Sequence, residues 1–189
     1  MLLQWLKGGL ARIYGNLRDR LPSDYVRRTD GMAAVEFALV AAPFFALIIA
    51  ILELALIFVA QAALETAVEE TARLVLTGQA LSSGLTQAQF QADVCAKLPS
   101  PFVCSGVMVN LVTASSFSTA VTTAPTLTYN ASGQVNNAWQ YQVGGPGSIE
   151  VMQVMYQWPV FPGPLNLNFA NLSNGSYLLM ATSVFRNEP

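Results

Sequence analysis

The residues best placed to do chemistry stand at one junction. Arg27 and Arg28, then Gly31 and the single carboxylate Glu36, lie directly before a long apolar run. A carboxylate at a membrane boundary is costly unless it is hydrated or paired with a cation, so Glu36 predicts either an interfacial, solvated side chain or an electrostatic contact. A second carboxylate, Glu53, lies inside the apolar run. It reads either as a group snorkelling to water near the outer leaflet or as a contact for a cationic group on another subunit. Cys95 and Cys104 are the only cysteines. With no histidine in the chain, Ser-His and Cys-His nucleophile pairs are excluded. The few acids beyond the apolar run are too scattered for a carboxylate dyad, and no cysteine and histidine spacing suits a metal. The sequence therefore predicts a protein that is not an enzyme, has no cofactor and binds no metal. After Gly31 there are three Lys and Arg against eight Asp and Glu, which leaves no basic surface for nucleic acid.

The element that must carry the junction is a helix. Residues 37–60 are 24 residues with Glu53 as their sole charge, enough at about 1.5 Å each to cross a roughly 30 Å hydrocarbon core of a lipid bilayer with some tilt. Its fifteen large apolar side chains favour insertion by roughly 5 to 9 kcal/mol against about 3 for the carboxylate. Six of the nine basic residues precede the run, which predicts a cytoplasmic N-terminus. Before Pro22, Leu3, Leu6, Leu10, Ile13, Leu17 and Leu21 recur at three or four residues beside Trp5. They read either as an in-plane amphipathic helix or as the charged start of a signal segment.

Helical spacing continues past Ala60, with Leu64, Ala67, Val68, Thr71, Ala72 and Val75 on one face. Glu69 and Arg73 are set for an i,i+4 pair, and Gly78 for a C-terminal stop. The expected rod covers residues 32–77, about 70 Å at full extension. A secretory signal cut near Ala60-Gln61-Ala62 fits less well, because its apolar region would exceed the usual length of about 7 to 15 residues.

Gly31, four small or apolar residues and then Glu36-Phe37 resemble the processing site of type IV pilins of the Tad (Flp) class, and most closely the TadE-like minor pseudopilins. The resemblance extends through Ala34-Val35-Glu36-Phe37-Ala38-Leu39-Val40, Pro43, Glu53, Ala72-Arg73 and Thr77-Gly78, with a short second match at Phe185-Arg186-Asn187-Glu188-Pro189. It implies that a membrane prepilin peptidase cuts after Gly31, making Met32 the new N-terminus and Glu36 the fifth mature residue. It implies docking through Glu36, Phe37 and Glu53, and as partners other pilins and pseudopilins and the inner-membrane assembly platform. The implied location is a bacterial inner membrane, single-pass, with the C-terminal part periplasmic and able to enter the pilus. The cut would also create a cationic amine for Glu36, and two unit charges about 4 Å apart at an effective dielectric near 20 attract by about 4 kcal/mol.

This gives three regions: a leader over 1–31, a rod over 32–78 and a head over 79–189. Between Gln79 and Phe185 the only charges are Asp93, Lys97 and Glu150. Thr86 and Gln89 form a capping box for a helix ending near Leu98, before Pro99. Alternation predicts strands over 107–113, 149–158 and 177–186, and a weaker one over 127–129. Gly144-Gly145-Pro146-Gly147 reads as a turn. The fold class is α+β, with the upper rod covering one face of a small antiparallel sheet. In an oxidising compartment Cys95 and Cys104 should pair, closing a roughly ten-residue loop and stabilising by about 2 to 3 kcal/mol. Trp139, Tyr141, Tyr156, Trp158 and Phe161 are candidate partner contacts, with Tyr156 and Trp158 favoured as core. The alternative function is an uncleaved, signal-anchored periplasmic protein that binds a ligand or scaffolds an envelope complex.

Overall fold

The computed structural model describes residues 31–161, 163 and 167–189. The expected leader helix and its basic residues lie outside them. The first helix, α1, covers Met32–Leu76 and passes through Pro43 without interruption. It is followed by a single-turn helix, α2 (Gln79–Ser82), which the spacing did not predict, and by α3 (Gln87–Lys97). Three strands then form one antiparallel sheet in the order β1 (Val107–Ala114), β2 (Ile149–Pro159) and β3 (Ser176–Arg186). The class is α+β, as expected. The described residues fall into two units, one ending at Leu47 and the other running from Ile48 to Pro189.

Local chemistry explains where the elements stop. Gly78 follows α1 in the left-handed conformation at φ +71°, its N–H bonded to the Val75 carbonyl, a geometry that a Cβ would strain. At α3 the Thr86 hydroxyl accepts from the Gln89 N–H, and the Gln89 side chain accepts from the Thr86 N–H at 2.9 Å. This is the expected capping box.

In the first unit the described residues are helical from Met32, and their large apolar side chains point outward: Phe37 is 70% exposed. In the second unit the same helix has a buried face. Ile57, Ala60, Leu64, Val68, Ala72 and Val75 join Phe90 and Val94 of α3 in one core with Val107, Val109 and Leu111 of β1 and Met152, Val154 and Tyr156 of β2. Register places these strand residues on one sheet face, since Val109 pairs with Val154 and Val154 with Ala181 of β3. The opposite face also excludes water. Val151, Gln153 and Met155 are buried, and Gln153 donates to the carbonyls of Val121 and Thr123 in the long β1–β2 connection.

Two expectations need correction. Residues 127–129 form no strand; Tyr129 makes only an isolated bridge with Val135. The asparagines there take over the backbone groups a ladder would use: Asn137 accepts from the Thr128 N–H and donates to the Thr126 carbonyl, and Asn130 accepts from the N–H groups of Ser132 and Gln134. Glu69 and Arg73 do not pair either. Among the described residues the ion pair is Lys97 with Glu70 at 3.3 Å. An exposed i,i+4 pair gains only about 0.2 to 0.5 kcal/mol, too little to hold two long side chains together against water.

Candidate functional site

The predicted processing and docking residues open α1. Gly31 forms the short turn before the helix, Met32 is its first residue, and Glu36 and Phe37 lie in its first two turns. All four are exposed to solvent. From Val35 to Val59 the large apolar side chains are exposed almost without a break, and α1 is long and apolar enough to cross a membrane.

Residues 31–73 match the TadE family, described as TadE-like protein. Curated proteins and solved structures give no match. The matched segment, less than a quarter of the chain, begins at Gly31 and ends one turn before the end of α1. It therefore takes in the exposed apolar helix and most of the stretch that packs on the sheet.

Glu53 has a partner that neither sequence reading foresaw. Its Oε1 accepts the backbone N–H of Phe161 at 2.9 Å, and Gly163 lies beside its other oxygen. This contact joins residues 108 positions apart within the second unit. Phe161 itself is 76% exposed. The other aromatic candidates divide as packing demands. Tyr156 is buried, stacks edge-on with Phe102 at 4.8 Å, and accepts the Val103 N–H at 3.2 Å. Trp158 packs on the same cluster. Tyr141 leans on Phe90, and its hydroxyl is buried without a partner among the described residues. Burial raises the pKa of that hydroxyl, with a further contribution from the charge of Asp93. Half-buried Trp139 lines a cleft of about 540 Å³ with Gln87, Gln91 and Asn137; no carboxylate, amine or thiol lines it.

Cys95 and Cys104 form a disulfide with their Cα atoms 5.4 Å apart, tying the end of α3 to the turn before β1. Gln91 bonds the Val107 carbonyl at 2.6 Å, across the same corner. The described residues contain no group of three metal-ligating side chains.

A second polar cluster escaped the sequence reading. Glu150 occupies a core-facing position of β2 and is fully buried. Its Oε1 accepts from the Gly144 N–H at 2.7 Å and the Ser148 hydroxyl at 3.0 Å, while Oε2 has no partner among the described residues. A Cβ on Gly144 would run into Glu150 Oε1 and Ser148 Oγ, so the turn can approach the carboxyl this closely only with glycine. Burial pushes the Glu150 carboxyl above its ordinary value of 4.5, with the hydrogen bonds from Ser148 and Gly144 opposing. The C-terminal segment closes over this turn. Asn187 donates to the Gly144 carbonyl at 3.0 Å, Arg186 Nε donates to the Gly147 carbonyl at 3.0 Å, and the Glu188 N–H reaches the Leu76 carbonyl at 2.9 Å. Phe185-Arg186-Asn187-Glu188 is thus a fastener that satisfies an orphan carbonyl at the end of α1. The available signal was Glu150 itself, a lone acid in phase with Met152 and Val154.

Proposed function

We propose that this chain is a minor pilin, or pseudopilin, of a Tad pilus: a leader over 1–31, a rod over 32–78 and a head over 79–189, cut after Gly31 by a prepilin peptidase. The observation that carries this reading is the TadE-like match, which begins at Gly31 and follows an apolar, solvent-exposed helix. A protein of this kind is structural rather than enzymatic. It waits in the inner membrane with its N-terminus in the cytoplasm and its head in the periplasm, and the assembly platform then draws it among other pilins to start or cap the fibre.

Proteolysis supplies the driving contact. Release of the leader exposes the Met32 ammonium, and Glu36 of a neighbouring subunit is its partner, worth about 4 kcal/mol at about 4 Å and an effective dielectric near 20. Phe37 and the apolar residues beyond it then trade lipid for a neighbouring rod. Glu53 can add a contact through the carboxylate oxygen that Phe161 does not use.

Mass spectrometry of the mature N-terminus tests the reading. Met32 supports it, whereas Met1 identifies an uncleaved anchor and a start near Ala63 a secreted protein. Gly31→Ala should abolish the Met32 terminus. Glu36→Ala should leave the cut intact and remove the protein from sheared pili. Normal piliation by both variants rules out these roles.

A further inference from the structure

The apolar run of α1 ends at Ala60, where Gln61 begins a polar face by donating to the Met180 carbonyl of β3 and to Glu65. The head is nevertheless tied to the helix before that point. Phe161 is bonded through its N–H to Glu53, seven residues or about 10 Å back along the run. The run of 24 residues is about 36 Å long against a hydrocarbon core of roughly 30 Å. If all of the roughly 6 Å excess lay at the outer end, Glu53 would still stand about 4 Å inside the apolar layer. On the turns between Glu53 and Ala60, Ile57 and Ala60 are covered by the head, while Leu56, Phe58 and Val59 are exposed. Exposed apolar side chains and the head therefore share these turns of the helix.

We infer that the head touches the outer leaflet of the bilayer directly, with the Phe161 ring seated at the boundary between headgroups and acyl chains and held at that depth by the bond from its N–H to Glu53. The chemistry of the described residues there suits that place. Pro159, Val160, Gly163 and Leu167 carry no charge, and the Phe161 ring is exposed. The Gly163 N–H is satisfied by the Leu167 carbonyl at 2.8 Å. Near lipid an unbonded backbone N–H and an unbonded carboxylate are each costly, and here each answers the other. Glu53, the one charge in the run, thus sets the depth at which the head rests on the membrane. An amphipathic surface buried about 5 to 10 Å into the interface behaves in this way.

The inference rests on the membrane-anchored reading of α1, and one experiment separates the two. Full-length protein with Cys95–Cys104 intact is reconstituted in phosphatidylcholine nanodiscs and spin-labelled at Phe161→Cys, Phe58→Cys or Val121→Cys, all three sites being well exposed. Collision with oxygen, which concentrates in lipid, is compared with collision with a water-soluble nickel chelate. Labels at 161 and 58 should favour oxygen, and the label at 121 should favour the chelate. Adding Glu53→Ala should return the 161 label to the aqueous pattern, whereas Glu53→Gln, which keeps an acceptor oxygen, should hold it in lipid. An aqueous 161 label beside a lipid-embedded 58 label overturns the loop contact and leaves the anchor standing. An aqueous 58 label overturns both. A 161 label that stays in lipid with Glu53→Ala overturns the role given to Glu53.

Discussion

Two stretches of α1 have much the same apolar residue types and opposite surroundings. Before Ile57 the leucines, isoleucines and phenylalanines are exposed; from Ile57 to Val75 one face of the helix is buried against β1, β2 and α3. The first stretch is apolar on every side and so matches a medium or neighbour outside the chain. The second alternates apolar and polar residues at helical spacing and so matches a sheet on one side and water on the other. The difference shows how one helix can leave one stretch exposed and bury the next: the pattern of apolar residues, more than their number, selects the surroundings.

The sharpest way to break this contrast is to truncate one leucine in each stretch. Leu64, with no exposed surface, should cost about 2 to 5 kcal/mol as Leu64→Ala. Leu52→Ala, at an exposed position, should leave unfolding of the head within about 0.5 kcal/mol of the parent. Denaturant unfolding in detergent, followed by near-ultraviolet circular dichroism, reads both, and equal losses would erase the distinction. Next in size is the disulfide. Replacing Cys95 and Cys104 together by serine should cost about 2 to 3 kcal/mol in the head while leaving detergent or lipid association of the anchor unchanged.

Much of the fold is legible because its signals are local. Thr86 and Gln89 are three residues apart and make their box, the face carrying Leu64, Val68 and Val75 follows helical spacing, and alternation marks all three strands to within a residue or two. The failures are equally physical. Residues 127–129 have strand-like side chains, but Asn130 and Asn137 outcompete a ladder for the backbone. Of the candidate site, the expectation for Gly31, Glu36 and Phe37 comes from the resemblance to TadE-like pseudopilins, whereas nothing in the sequence pointed to the hydrogen-bond partners of Glu53 and Glu150.

A pH titration sharpens the contrast from the head side. Because burial raises the Glu150 pKa, the folded head holds this proton more tightly than the unfolded chain. The associated stability is fully present below the ordinary carboxyl value of 4.5 and is lost as pH rises through the raised folded value. Glu150→Gln keeps an acceptor for Gly144 and Ser148 without the charge. Its melting temperature should therefore gain on that of the parent as pH rises across this window, and parallel curves would show that burial of Glu150 carries no linkage. The smallest effect belongs to the surface. Lys97→Ala should cost no more than about 1 kcal/mol, since its pair with Glu70 is half exposed, and added salt should shrink even that.

By itself, the sequence determined the length and charge of the apolar run, the bounds of α1 and α3, the three sheet strands and the pairing of its two cysteines, because each depends on neighbours within a few residues or on bulk transfer into lipid. Only the tertiary structure decided that Glu53 accepts an N–H from 108 residues away, that Glu150 is sealed beneath a glycine turn, and that Glu188 closes the end of α1. The Glu53 and Glu188 contacts join segments more than a hundred residues apart, and Glu150, though only six residues from Gly144, is buried by the packing of the whole head; a pairing or burial made by packing leaves no period in the chain for spacing to reveal.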